Sequence, residues 1–239
     1  MNEEPMPPHR DPFFATFPGE FDHKQMALWA RELIDNHGIR IEREATAQDI
    51  CKPSLDFGRE YRHTVVDADA IAESPLNAAT SAELERILPF IELVTHSPVV
   101  QSPHGHSRVT LKHYGPGDVQ GWHYDTNPIT LLFFLTDCPV GGELIVAPYG
   151  APASDEMRMD AVPLTDVLAA DPMLGRWSIR PAAGDILLMA GRRFVHAVRM
   201  QPTTSDRIIL AVNLYHPDDL WRPPSIEAVI YGDAQAVNY

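Results

Sequence analysis

The chain has 239 residues, with 19 Lys plus Arg against 33 Asp plus Glu and a formal charge of -14 at pH 7, a balance that opposes any broad electrostatic grip on nucleic acid or on an anionic membrane surface. Its two cysteines, Cys51 and Cys138, have neither metal-site spacing nor a disulfide framework, the first residues are acidic and proline-rich without an apolar leader, and no run reaches the length of a membrane span. These features read as one soluble cytoplasmic domain over 1–239.

Prolines at 5, 7, 8, 12 and 18 predict an irregular arm over 1–20, its Phe13, Phe14 and Phe17 packing onto the body. Met26, Trp29, Ala30, Leu33 and Ile34 recur at helical spacing between a capping Asp22 and a left-handed stop at Gly38. A short strand with Ile39 and Ile41 follows. The text from 43 to 78, including the loop-like Cys51-Lys52-Pro53-Ser54, yields no clear order. A second helix is predicted from Thr80, which with Glu83 resembles a capping box, along Leu84, Ile87, Leu88, Ile91 and Val94, kinked or split by Pro89.

After Arg108 the text changes to short β-branched and aromatic runs, at 108–114, 129–136, 143–147, 176–180, 185–190, 195–200 and 207–215, separated by Gly and Pro. A turn of helix is expected within 154–174. Helices followed by a block of strands predict an α+β fold whose sheets close into a sandwich or jelly roll, with helices against one outer face.

His123 and Asp125 lie two residues apart in Gly121-Trp122-His123-Tyr124-Asp125 and point the same way if the backbone is extended. His196, in Phe194-Val195-His196-Ala197-Val198, supplies a third ligand from a later strand. Two His and one carboxylate occupy one face of an octahedral ion and leave the opposite positions open, the donor set of non-haem Fe(II) enzymes that use O₂. His, Asp and His also suit Zn²⁺, so a zinc hydrolase or a cupin-like metal-binding protein stands as a different class of answer. His104 and His106 form another H-x-H without a third partner and read as a loop near the pocket mouth.

Tyr114-Gly115-Pro116-Gly117-Asp118, Gly121-Trp122-His123-Tyr124-Asp125, the run Ile129 to Leu135, Gly141-Gly142-Glu143-Leu144, Pro181-Ala182-Ala183-Gly184-Asp185-Ile186-Leu187-Leu188, His196 and Arg207 together resemble Fe(II)/2-oxoglutarate-dependent dioxygenases. The order is similar to that of the prolyl-4-hydroxylase-like branch and its relatives acting on small amino acids, and it spans about 105–215. The resemblance implies a double-stranded β-helix core over 105–215; residues 1–100, which give no comparable match, read from their own periodicity as mainly helical support, and 216–239 as a tail. It implies Fe(II) on His123, Asp125 and His196, with 2-oxoglutarate and O₂ as co-substrates. The expected reaction is hydroxylation of an unactivated C–H bond in a free amino acid or similar small polar metabolite, with release of succinate and CO₂. A protein side chain as substrate, or desaturation or ring closure at the same iron, are the alternatives. Relatives that halogenate replace the carboxylate ligand by a small residue, and Asp125 retains it.

Arg207 opens the apolar strand Ile208 to Val212, where burial without an anion is costly. Either it grips the distal carboxylate of 2-oxoglutarate, as in the family, or Asp206 or another carboxylate pairs with it at the strand edge. The family often has a hydroxyl residue two positions later; this chain has Ile209. Period two places Asn213 on the face of Arg207 as a substrate contact. Tyr114 resembles the family tyrosine that reaches the co-substrate, with a hydroxyl bonded elsewhere as the alternative. Thr130, Leu132 and Phe134 share one face, inward in the family register, so Thr130 donates to a carboxylate and Phe134 walls the pocket. Trp122 and Trp177 either line its mouth or pack in the core.

Overall fold

The strands after Arg108 are apolar on both faces because each face has its own core. The computed structural model describes residues 14–44, 60–103, 105, 108–123, 125, 127–147, 177–191, 194–200 and 205–218. In chain order these form β1 (Phe14–Pro18), α1 (His23–His37), β2 (Ile39–Glu44), β3 (Glu60–Val66), α2 (Ala68–Ala72), α3 (Pro75–Thr95), β4 (Val100–Gln101), β5 (Val109–Tyr114), β6 (Val119–His123), β7 (Ile129–Phe134), β8 (Leu144–Ala147), β9 (Trp177–Ile179), β10 (Asp185–Met189), β11 (Val195–Arg199) and β12 (Arg207–Tyr215). The strands predicted after Arg108 are all present. The expected helical turn within 154–174, the Cys51 loop, His104, His106, Phe13 and the tail beyond 218 lie outside the described residues.

All described strand pairings are antiparallel, in the order β1-β10-β7-β12-β5-β3-β6-β11-β8-β9, with β2 beside β3 and β4 beside β12. The sheet folds over on itself. Alternate residues of β5, β7, β10 and β12, among them Leu111, Leu131, Phe133, Ile186, Leu188, Ile208 and Leu210, pack with Met26, Ala30 and Leu33 of α1 and with Leu76, Ile87 and Ile91 of α3. The intervening residues, Tyr114, Leu132, Phe134, Leu187, Met189, Ile209 and Ala211, pack with Leu144, Val146 and Val198 from the other half of the sheet. One face thus meets helices and the other meets its own opposite half, a double-stranded β-helix of the α+β class, with each fully buried aliphatic or aromatic side chain contributing roughly 1.5–3 kcal/mol. β3 forms the corner: Thr64 to Val66 pair with β5, while Tyr61 and Arg62 pair with β6.

Four local expectations are corrected. The arm contains β1, an edge strand on β10 in register from Phe14 opposite Met189 to Pro18 opposite Asp185; proline is tolerated because the edge leaves its missing donor without a partner to serve. Phe17 packs edge-on against Phe90 at 5.3 Å. Asp22 does cap α1, accepting from Gln25 N–H at 3.1 Å, but Gly38 is extended at φ -65° and ψ 125° because β2 follows at once. Its lack of a side chain is needed for room, since a Cβ there would lie 2.4 Å from the Ile34 carbonyl and 2.8 Å from Thr64 Cγ2. α3 starts at Pro75, where a missing N–H has no cost. Thr80 is therefore inside the helix, donating to the Leu76 carbonyl at 2.7 Å, and Glu83 accepts from Arg86 and from Glu20 N–H. Pro89 does not split α3, which runs on to Thr95 because its buried face is held by the helix-side core. No helix among the described residues is long and apolar enough to cross a membrane.

Candidate metal and co-substrate site

β6 and β11 bring His123 directly opposite His196. Three steps of β6, from Gln120 to His123, span two steps of β11, Val198 to His196; the extra residue is a bulge that puts Gln120 and His123 on the same face. The imidazole centroids lie 4.2 Å apart. Asp125 follows the end of β6 and is fixed by its own N–H, which donates to the Gly191 carbonyl at 3.1 Å. A Cβ on Gly191 would lie 2.4 Å from Thr130 Oγ1 and 2.9 Å from Asp125 Cβ and Oδ2, so only glycine lets the β10–β11 turn come this close.

The donor atoms are oriented for one ion. His123 Nδ1–H donates to the Gly121 carbonyl at 2.7 Å and His196 Nδ1–H to the Phe194 carbonyl at 3.1 Å, which makes both Nε2 atoms unprotonated acceptors, the tautomer of metal-ligating histidines. Asn127 donates to Thr130 Oγ1 at 2.8 Å, and Thr130 in turn to Asp125 Oδ2 at 2.5 Å. The other oxygen, Oδ1, faces His123 Nε2 at 3.7 Å and His196 Nε2 at 3.6 Å. One ligand atom from each residue falls within 4.8 Å of the others, the one such group of three His, Cys, Asp or Glu found among the described residues.

Protonation states agree with this geometry. Burial, reinforced by the His196 charge, pushes His123 down to about 3, and burial also lowers His196. Burial raises the Asp125 carboxyl, but the His196 and His123 imidazoles, Lys112 and the Thr130 hydroxyl outweigh it and hold it below the ordinary carboxylate value. Two neutral imidazoles and a carboxylate are the donor set that a divalent transition metal requires.

Arg207 is fully buried. Asp206, the partner it would have at a strand edge, instead takes Arg31 at 2.7 Å. Nη1 of Arg207 donates to the Gly142 carbonyl at 2.6 Å, its guanidinium lies 5.0 Å from the Phe134 ring centroid, and Nε and Nη2 have no hydrogen-bond partner. An arginine keeps its charge even when burial lowers its pKa, so the fold retains a cation with two adjacent free donors. A planar carboxylate fits both.

Tyr114 stands opposite Arg207 on β5 and faces inward. Its hydroxyl donates to Gln120 Oε1, and Gln120 Nε2 donates to His123 Nε2 at 2.9 Å. Burial raises its phenol above the ordinary value. In this structure Tyr114 thus bonds to a side chain, and Thr130 serves Asp125. Asn213 pairs with Thr130 across β12 and β7, on the inward row with Ile209 and Ala211. The side chains of Trp122 and Trp177 lie outside the description. Gln120, Gly191 and Asn127 were not anticipated from the sequence; a bulge hides the first, and the other two act through tertiary contacts.

The class that fold and site define is a double-stranded β-helix holding a His–Asp–His cluster and a buried unpaired arginine. No family model matches the chain, and no curated protein matches it at a significant level. Solved structures share its fold. The non-haem alpha ketoglutarate dependent carbocyclase SnoK from nogalamycin biosynthesis gives a TM-score of 0.64 at 18% identity, over 88% of this chain and 82% of that one. The epimerase SnoN in complex with Fe³⁺, alpha ketoglutarate and nogalamycin RO gives 0.61 at 16%, over 88% and 81%. HygX from Streptomyces hygroscopicus with nickel and 2-oxoglutarate bound gives 0.55 at 16%, over 87% and 85%.

Proposed function

We propose that this protein is an Fe(II)/2-oxoglutarate-dependent oxygenase that hydroxylates a C–H bond of a free amino acid or similar small polar metabolite. The observation that carries the reading is Arg207, a buried guanidinium with two orphaned donors on the inner face that also carries the His–Asp–His cluster. A zinc hydrolase or a simple metal-binding protein has no use for that cation, whereas a dicarboxylate bridging arginine and metal does. Neighbours of the same fold bound to iron or nickel with 2-oxoglutarate support it.

In this reading His123, Asp125 and His196 hold Fe(II). Bound iron supplies the redox chemistry that couples decarboxylation of 2-oxoglutarate by O₂ to oxidation of the substrate. The chain itself does the positioning. The backbone carbonyls of Gly121 and Phe194 fix the two imidazole tautomers, and Asn127 and Thr130 hold one Asp125 oxygen so that the other faces the histidines. Arg207 clamps the distal carboxylate of the co-substrate, with Phe134 against the guanidinium. Tyr114 and Gln120 occupy the strip between arginine and metal ligands, and Asn213 offers a polar contact to substrate on the same inward face. Neighbours of the same fold include a carbocyclase and an epimerase, so ring closure or desaturation with the same residues is the second outcome that product analysis separates from hydroxylation. A protein side chain as substrate is the third.

The test is conversion of 2-oxoglutarate to succinate by purified protein with added Fe(II). We expect turnover that Asp125→Ala abolishes together with stoichiometric Fe(II) binding. Protein that binds Fe(II) but leaves 2-oxoglutarate intact, or an Asp125→Ala variant that still releases succinate, rejects the reading.

A further inference from the structure

Lys112 is the charged group on the inner face that the proposed chemistry leaves unused. On β5, Val109 and Leu111 belong to the helix-side core while Tyr114 belongs to the inner one, so the period of two turns Lys112 inward with Tyr114. Its neighbours across the sheet are Ile209 on β12 and Val65 on β3, and both are buried. The next residue, His113, faces the other way, toward Asp206 at 3.4 Å. The Lys112 ammonium makes no hydrogen bond and no ion pair among the described residues, and the carboxylate whose field reaches it is Asp125. Nearby, His63 is buried and stacked on Tyr114 at 5.2 Å between centroids, with Nδ1 lacking any partner. A half-buried lysine with no counter-ion among the described residues and an orphaned buried acceptor beside it are expensive to keep unless a ligand completes them.

The charges of the site say what that ligand is, given the oxygenase reading on which this step rests. Asp125 halves the charge of a divalent metal, and Arg207 with the remaining metal charge matches the two carboxylates of 2-oxoglutarate. The ammonium is then a single uncompensated positive charge. A lysine is a point charge with three donors, suited to one carboxylate; a neutral or cationic substrate would leave it unpaired.

We propose that Lys112 binds the carboxylate of the prime substrate, which makes the enzyme selective for small acids over their neutral or cationic analogues. His63 Nδ1 accepts from a donor group of that substrate.

The probes are a panel of free α-amino acids and their methyl esters, titrated calorimetrically under anaerobic conditions into protein loaded with Fe(II) and 2-oxoglutarate. We expect the wild type to bind at least one acid about tenfold or more tightly than its ester, the range of a hydrogen bond to a charged group. Lys112→Met erases that preference and keeps its affinity for 2-oxoglutarate within about twofold. Should Lys112→Met fail to fold by circular dichroism, Lys112→Gln is measured in its place. Esters binding as well as acids, no member of the panel binding, or a loss of 2-oxoglutarate affinity in Lys112→Met as large as in an Arg207 variant each overturns the proposal; the last assigns the ammonium to the co-substrate. Failure of the oxygenase reading shows separately, as wild type that does not bind 2-oxoglutarate, and the acid-versus-ester comparison is then decided on metal-free protein.

Discussion

At Arg207 burial and charge conflict most sharply. Its one polar contact is the Gly142 carbonyl at 2.6 Å, and Nε and Nη2 face nothing that accepts. Several kcal/mol of lost hydration are offset only in part by one hydrogen bond and the Phe134 ring, so without co-substrate the residue is destabilising. Arg207→Met keeps most of the volume and removes the charge. We expect the concentration of 2-oxoglutarate at half-saturation to rise about 30-fold or more, while the thermal midpoint of the ligand-free protein holds or rises. A fall in midpoint beyond about 3 °C, the signature of roughly 1 kcal/mol in a domain of this size, would show that the guanidinium is structural. Binding titration and thermal scans of the two proteins decide it. Gln120 is the corresponding residue near the metal ligands. Its amide takes the Tyr114 proton on one side and gives a proton to the His123 lone pair on the other, so it satisfies a buried acceptor that a metal would otherwise claim.

Between elements, the site depends on how close the β10–β11 turn can approach β7. Gly191 meets Thr130 and Asp125 at distances a side chain cannot share, while its carbonyl accepts from Asp125 N–H. We expect Gly191→Ala to displace the Asp125 carboxylate and weaken Fe(II) binding about tenfold or more, the scale of a lost supporting contact at a metal site. Both cores sit on other residues and hold the fold. Fe(II) affinity equal to that of the wild type would show that the turn moves freely and does not set the ligand. This contact also marks how far the sequence was readable. His123, Asp125 and His196 were legible because their donor chemistry is uncommon at that spacing, and the strands after Arg108 because two cores make them apolar throughout. The inward rows of β7 and β12 followed from a period of two. β3 was not legible, since its inward residues Tyr61, His63 and Val65 alternate with Arg62 and Thr64 and only the fold makes the histidine an interior residue. Gln120 was hidden by the bulge, which breaks the same period, and Gly191 by a contact made through space. Arg207 was ambiguous beside Asp206 until Arg31 of α1 was seen to take that carboxylate.

For the whole molecule, the interior histidines set the response to acid. His63, His123 and His196 are all buried, and burial pushes each below the ordinary value of 6.5, His63 well below and His123 to about 3. In the unfolded chain each takes up a proton as the pH drops through 6.5, while in the folded protein uptake is delayed to lower pH, to about 3 at His123. The unfolded state therefore binds more protons below that point, and stability rises with pH up to it and is lost as the pH falls. Each such histidine contributes a slope approaching 1.4 kcal/mol per pH unit, so three give roughly 4 kcal/mol per unit at the limit. The Asp125 carboxyl, held below its ordinary 3.8, has linkage of the same sign in a lower window: its stabilising contribution is complete above that value and is lost only at lower pH, where it adds to the loss from the histidines. We expect the urea midpoint of metal-free protein to be level from pH 7.5 to 6.5 and to drop steeply from 6.5 to 5. The His63→Val variant, which leaves the metal ligands in place, should lose about a third of that slope, one proton in three. Fe(II) binds only the deprotonated ligands and only in the folded state, so a saturating concentration should move the whole curve to lower pH. A metal-free midpoint that stays level to pH 5 would mean that these imidazoles accept protons inside the fold, and with them the neutral donor set on which the metal site is built would be lost.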